Sequence, residues 1–508
     1  MREKGFDNEH YLKEQSKFIL DRAATFGSRL YLEFGGKLIF DLHASRVLPG
    51  FDPNVKIKLL QRLKDSADII IAVYAGDIER KKIRADFGIS YDADVLKLID
   101  DLRAWDLETR AVVITRYEAQ PVVKQFKNKL ARRGIKVYTH DAIKGYPTNL
   151  DLVISDEGYG SNPYIDVSKR IVVVTAPGPN SGKMATCLSQ LYHEHEQGLD
   201  AGYAKFETFP IWNLPLKHPV NIAYESATAD LGDYNQVDPF HLDAYGKISI
   251  NYNRDVEAFP LLKRILERIS GGTGESMYKS PTDMGVNRAG FAIMNDSICQ
   301  VAAKQEIIRR YLRYSCEHAM GVASSKTVER AKLLMEELGL KVKDRRVVIP
   351  AREAAEKARV AGKGHDGISC GASIQLLDGK GTIITGKNSP VMHATSALIL
   401  NAIKFLAGIP DEIDLISPNI IGSITSMKRD ILNSRNASMS LDEALIALSI
   451  SATTNPTAKV ALEKLNGLKG SEIHMTHIPT PGDEAGLRRL GVNVTSDPNF
   501  SSRQLYIG

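Results

Sequence analysis

Cysteine is scarce. Cys187, Cys299, Cys316 and Cys370 are the four in 508 residues, and no two form a CxxC pair. Thiols this few and this scattered exclude a disulfide framework and a cysteine-rich zinc site, and they fit a reducing compartment. No uninterrupted apolar run approaches the ~18 residues that a spanning helix needs. The N-terminus, Met1-Arg2-Glu3-Lys4-Gly5-Phe6-Asp7, has no apolar signal core, so a cytoplasmic protein with no membrane partner is expected. An excess of one charge is missing too: 66 Lys and Arg against 61 Asp and Glu leave a net +5. Nucleic-acid binders concentrate basic charge on one face or tail. The nearest candidate, residues 124–133 (KQFKNKLARR), reads as the wet side of an amphipathic helix, so no nucleic-acid partner is expected. Internal repeats and low-complexity tracts are absent as well.

What is present is an ordinary globular composition, 43% apolar and 25% charged, over a length that implies two to four domains of ~100–200 residues each. The first third alternates between two periods. Residues 30–34, 67–74, 111–115, 135–139, 150–155 and 170–175 read as strands, several of them apolar throughout. Residues 11–26, 55–63, 95–105 and 121–133 between them read as helices. Uninterrupted apolar strands separated by helices predict a mostly parallel, doubly wound α/β sheet covered on both faces. Ligands on such sheets bind beyond the carboxyl ends of the strands. Long helical segments dominate from about residue 243 to 340, broken by the glycine-rich stretch 271–274. Residues 372–377 and 381–385, joined around Asp378-Gly379, read as a hairpin in a further α/β region. The expected division is an α/β domain over 1–240, a mainly helical domain over 241–344 and a smaller C-terminal α/β domain over 345–508.

Residues 172–191 (VVVTAPGPNSGKMATCLSQL) carry the sharpest motif. A buried strand ends at Thr175, a loop with two prolines, two glycines and a lysine follows, and an amphipathic helix begins near Gly182. A helix start leaves about four backbone N–H groups unpaired and carries partial positive charge. Glycines let those groups converge, and a lysine in the first turn adds a full charge, which makes a P-loop-like anion site. The candidate binding residues are Gly178, Asn180, Ser181, Gly182, Lys183 and Thr186. The match to GxxxxGK[ST] is incomplete: Pro177 stands at the first glycine position, and Met184 where a hydroxyl would meet Mg²⁺, with Thr186 two residues further on. A second strand over 202–206 places Lys205 and Glu207 at the same sheet edge. Strand, glycine loop, helix and strand in this order are similar to the arrangement in P-loop ligases and kinases such as dethiobiotin synthetase, a likeness at the level of fold. The alternative is an ordinary strand-to-helix turn whose glycines serve the backbone alone. For a metal-holding carboxylate, Asp156 after the apolar residues 153–155 and the later Asp230, Asp233 and Asp238 are candidates, each weighed against a turn or cap aspartate.

At these residues the chain resembles the uncharacterised bacterial protein family 0371, a domain of unknown function (1846), over essentially its whole length. The stretches that carry the resemblance are LYLEFGG (30–36), ASRVLPG (44–50), GISY (88–91), VTAPGPNSGK (174–183), GYAKFETFPIWNLP (202–215), PTDMGVN (281–287) and NSPVMHATSA (388–397). The resemblance implies a cytoplasmic bacterial protein of several α/β and helical parts. It brings no activity, so no catalytic residue is carried over.

Three histidine groups complete the survey. His193 and His195 stand two apart on a predicted helix and point away from each other. His474 and His477 fall on opposite faces of a predicted strand. Neither pair suits a metal. His393, at a polar helix start with Asn388, Ser389, Thr395 and Ser396, suits an anion site or a general base, against the reading of a capped helix with a half-buried histidine. A similar polar start at 451–457 would make a second ligand crevice if the two faced one another. The leading expectation is an enzyme that binds ATP, with Mg²⁺, or a related small phosphorylated ligand at residues 178–183, for phosphoryl transfer or ATP-driven ligation. Lys183 neutralises phosphate charge there, and Lys205 and Glu207 face the substrate. The alternatives are a non-catalytic sensor of a phosphorylated metabolite or nucleotide and a structural homo-oligomer.

Overall fold

A computed structural model describes residues 3–84, 88–271, 277–364, 367–434 and 436–502. Gly272–Gly274 of the glycine-rich stretch lie outside the described residues. The chain forms two compact units. The first takes Lys4–Thr228 and Asp233–Ala303; the second takes Lys304–Gly508 with Met1–Glu3 and Ala229–Gly232. The helical middle region is therefore shared, residues 241–303 in the first unit and 304–344 in the second.

The first unit is built on six parallel strands: β1 (Leu30–Phe34), β2 (Ala67–Tyr74), β3 (Thr109–Thr115), β4 (Val137–His140), β5 (Ile171–Thr175) and β6 (Gly202–Phe206), in the order β4-β3-β2-β5-β1-β6. Every residue of β1 and β5 is buried, as apolar strands covered on both faces require. From β2 the chain moves outward one way, to β3 and β4. From β5 it moves the other way, past β1 to β6. The two directions part between β2 and β5, the switch point where open α/β sheets leave a crevice at their carboxyl ends. Residues 150–155, expected as a strand, instead form the short helix Leu150–Val153, with Asn149 Oδ1 accepting from the Leu152 amide at 3.3 Å. The alternating apolar residues satisfied a period of two, but the cap and the single turn decided the local structure.

The second unit carries a four-stranded sheet: β7 (Gly371–Gln375), β8 (Ile383–Lys387), β9 (Glu472–Met475) and β10 (Asn493–Ser496), ordered β8-β7-β9-β10, with only β9 and β10 parallel among its pairs. The expected hairpin is β7–β8. Asp378 in its turn accepts from the amides of Lys380, Gly381 and Thr382; the Thr382 hydroxyl and these amides hold its carboxyl down at about 2. The helices Ala394–Ala407, Leu441–Ser451 and Pro481–Leu490 complete the unit's core. All four cysteines are free and buried. Among the described residues no helix is long and apolar enough to cross a membrane.

Candidate phosphate-binding site

β5 ends at Thr175, and the helix Lys183–Glu196 starts at Lys183. Both glycines of the intervening loop are required by space. A Cβ on Gly178 would lie 2.3 Å from the Tyr91 hydroxyl oxygen. A Cβ on Gly182, whose φ is +84°, would lie 2.8 Å from Thr115 Cγ2. Asn180 is also left-handed, with φ +57°, a conformation that asparagine tolerates better than most residues.

The loop's carbonyls are turned toward donors. Gly178 O accepts from Ser181 Oγ at 2.7 Å, Ser181 O from Thr115 Oγ1 at 2.8 Å, and Asn180 O from Arg116. Gly182 O accepts from both the amide and the hydroxyl of Thr186. With the carbonyls held, the amides of Gly178, Asn180, Ser181, Gly182, Lys183, Met184 and Ala185 have no acceptor among the described residues. The Thr175 hydroxyl at the root of the loop is buried and also without a partner among the described residues. The buried Thr175 hydroxyl left open in this way calls for an external partner, and the amides, on residues that apart from Ser181 are half-buried or exposed, are within reach of one. Arg116, itself at φ +49°, lies over the Tyr74 ring at 3.4 Å and braces the loop from the end of β3.

Lys183 turns inward. Its side chain is only 13% exposed, and Nζ is 3.8 Å from Glu33 Oε1. Glu33 is the one charged residue of β1, and the register sets it beside Val174 of β5 and Lys205 of β6. Its second oxygen accepts from the Tyr203 hydroxyl at 2.8 Å. Burial, and then the Glu33 charge, raise the Tyr203 phenol well above its ordinary range, so it stays a donor. Lys205 Nζ sits between both oxygens of Asp255, at 2.7 and 2.8 Å, and Glu207 Oε1 at 3.1 Å. Burial pulls the Lys205 ammonium down, but Asp255, Glu207 and Glu33 together hold it above the usual lysine range. Two ammonium groups thus face three carboxylates. The imbalance falls on Glu207, whose carboxyl burial raises to about 7 despite the attraction of Lys205. A carboxyl poised at neutrality beside an anion site is suited to general acid–base work.

The structure thus brings Gly178, Asn180, Ser181, Gly182 and Lys183 into one loop, and Lys205 and Glu207 into the charged cluster at the same carboxyl edge. Thr186 contributes its hydroxyl to Gly182 O and is fully buried, so it offers no oxygen to a ligand. His393 belongs to the second unit and has partners of its own there. Sequence reasoning missed Glu33, Thr115, Arg116 and Asp255. For Glu33 a signal existed: a single carboxylate inside the apolar LYLEF strand.

The other candidates resolve as structural groups. Asp156 follows a helical turn rather than a strand and accepts from the Tyr192 hydroxyl at 3.0 Å. Asp238 caps the helix Pro239–Tyr245, Asp233 pairs with Arg254 and Asp230 accepts from Tyr314. His193 and His195 bond to the separate carbonyls of Asn162 and Ala201. The polar start at 451–457 is closed by Asn455, which accepts from the amides of Thr457 and Ala458. Among the described residues no three His, Cys, Asp or Glu side chains come together as a metal-ligand set.

Two family models match the chain. The domain of unknown function DUF1846, N-terminal, covers residues 4–339, and its C-terminal counterpart covers residues 343–506. The chain is 60% identical to a UPF0371 protein of Clostridium botulinum (strain Kyoto / Type A2) and 58% identical to one of Clostridium tetani, in each case over 502 residues and 99% of both chains.

Proposed function

The chain belongs to the DUF1846 family, and we propose that it binds the phosphate groups of ATP or a related phosphorylated small molecule on the loop of residues 178–183. The reaction proposed is phosphoryl transfer or phosphate-driven ligation. The observation that carries this reading is the open row of amides: the loop's carbonyls are pinned by Thr115, Arg116, Ser181 and Thr186, while its N–H groups have no acceptor among the described residues. Amides fixed in advance around a phosphate need no reorganisation when charge shifts between its oxygens, which is the main way such transfers are stabilised. Lys183 adds a full positive charge. Glu207 takes a proton from the attacking group, and Lys205, clamped by Asp255, holds Glu207 in place.

No step is routed through magnesium. Met184 stands where a metal-binding hydroxyl is expected, and the Thr186 hydroxyl is engaged with Gly182 O. That same observation favours a second reading, a sensor that binds a phosphorylated ligand without turning it over. Calorimetric titration with ATP, ADP and inorganic phosphates, each with and without Mg²⁺, tests both. Saturable binding by the wild type, weakened at least tenfold in Lys183→Ala, is expected. Equal binding by the two proteins, or no binding at all, removes both readings. Binding without product over hours selects the sensor.

A further inference from the structure

The two lysines at the carboxyl edge are paired in different ways. Lys205 Nζ donates to both oxygens of Asp255, at 2.7 and 2.8 Å. Lys183 Nζ approaches Glu33 Oε1 at 3.8 Å, well beyond the roughly 2.7–2.9 Å of a charge-assisted hydrogen bond. It has no hydrogen-bond acceptor among the described residues. An ammonium carries three donors, and this one, on a side chain only 13% exposed, is left with one long ion pair. Glu33 is held more firmly. Its Oε2 accepts from the Tyr203 hydroxyl at 2.8 Å, and the register fixes it between Val174 of β5 and Lys205 of β6. The helix Lys183–Glu196 lies against it, since Cys187, one turn after Lys183, also feels the Glu33 charge. A phosphate gathered by the loop amides offers Lys183 closer partners than Glu33 does. It also brings negative charge up to a carboxylate that is fixed in place.

We propose, resting on the phosphate-binding reading of residues 178–183, that Glu33 is a positioning residue that competes with phosphate for Lys183. It holds the ammonium in the empty site and releases it to the ligand, and the negative charge so uncovered is met by one proton moving from solvent onto a Glu207 oxygen. No covalent bond other than that O–H forms or breaks. Binding of phosphate and uptake of a proton are then one linked event, and Glu33 sets how tightly the empty site resists its ligand.

The surroundings of the two glutamates direct the proton to Glu207. Glu207 meets Lys205 at 3.1 Å, Asp255 from the helix Asn253–Ile269 and Glu33 from β1, and the Tyr224 phenol from the helix Pro219–Ala227. Asp233, which feels Asp255, is paired with Arg254. Glu33 faces Lys183 and Cys187 on the loop helix, Tyr203 and Lys205 on β6, and Tyr146. Burial raises the phenols of Tyr146, Tyr203 and Tyr224 and the Cys187 thiol, so each already carries its proton. Asp255 is engaged by both of its bonds from Lys205. Glu207 remains: burial brings its carboxyl to about 7, and further negative charge nearby favours its protonated form.

The full chain is titrated calorimetrically at pH 8 with inorganic phosphate and with ATP, both without Mg²⁺. Glu33→Gln keeps an oxygen for the Tyr203 hydroxyl and removes the charge. It is expected to bind roughly fivefold more tightly than wild type, the scale of one partly exposed ion pair. A carboxylate with a merely structural role gives no gain when it is neutralised. Repeating the wild-type titration in two buffers of different ionisation enthalpy counts protons. Uptake of a sizeable fraction of a proton is expected, and its loss in Glu207→Gln. A gain below about twofold in Glu33→Gln, or weaker binding, overturns the proposal. Equal proton counts in wild type and Glu207→Gln overturn it as well, whether or not Glu33→Gln folds. Both of these failures leave phosphate on the loop. No binding by either wild type or Glu33→Gln removes the loop reading too.

Discussion

Burial, helped by Asp255 and Glu33, raises the Glu207 carboxyl against the attraction of Lys205, and this sets the sign of its effect on stability. Its ordinary value is 4.5 and its value in the fold is about 7. Between those pH values the native state holds a proton that the unfolded chain has released, so this group makes stability fall as pH rises from about 4.5 to about 7 and level off above. His140 and His477, both lowered to about 4 chiefly by burial, act oppositely: each adds stability as pH rises from about 4 toward 6.5. The difference between two proteins isolates the carboxyl. The melting temperature of Glu207→Gln minus that of wild type is expected to grow from pH 5 to pH 7.5, and a flat difference would mean that Glu207 ionises normally. Residues of this kind were only half legible in the sequence. Lys183 and Glu207 follow strands that end at one edge and Lys205 lies near the end of one of them, so the pattern brings them together. Asp255 lies in the helix Asn253–Ile269, fifty residues on from Lys205, and no local pattern announces that it bonds back to that lysine.

At the level of elements, the loop depends on a neighbouring strand as much as on its own glycines. Thr115, the last residue of β3, donates to Ser181 O at 2.8 Å and leaves no room for a Cβ on Gly182. Thr115→Val keeps the shape and removes the donor. A hydrogen bond of this type contributes about 1 kcal/mol, so phosphate affinity measured by calorimetry is expected to fall roughly five-fold with the melting temperature little changed. The order strand, glycine loop, helix was readable because a buried apolar run, two prolines and two glycines leave few alternatives. The order of strands within the sheet was not, because nothing local in residues 171–175 says that β5 enters between β2 and β1. The misread strand at 150–155 has a related origin: a short apolar alternation does not show that a preceding asparagine will cap it into a helical turn.

Across the whole molecule, the two units can be watched separately. The chain has two tryptophans, Trp105 and Trp212, both in the first unit, so their fluorescence reports that unit, whereas circular dichroism reports both. Arg345 in the second unit is 1% exposed and holds Glu472 at 2.7 Å and Thr495 Oγ1 at 2.9 Å. Arg345→Met leaves those acceptors without their donor and is expected to cost about 3 kcal/mol. In urea, the shift of the dichroism midpoint is expected to be at least as large as that of the fluorescence midpoint, and the reverse order would place the damage in the wrong unit. A phosphorylated ligand on residues 178–183 at 100 times its Kd is expected to add ~2.7 kcal/mol to the transition that the tryptophans follow.

The late entry of β5 has a consequence for synthesis. When the ribosome has delivered everything up to residue 170, β1 and β2 exist but the strand that pairs with both has not yet been made. Each nascent strand then offers an open, mostly apolar edge to any neighbour, the situation that chaperones guard. The segment that closes this seam is the one that carries the glycine loop, so the centre of the sheet and the loop are made together, before β6 is added at the edge.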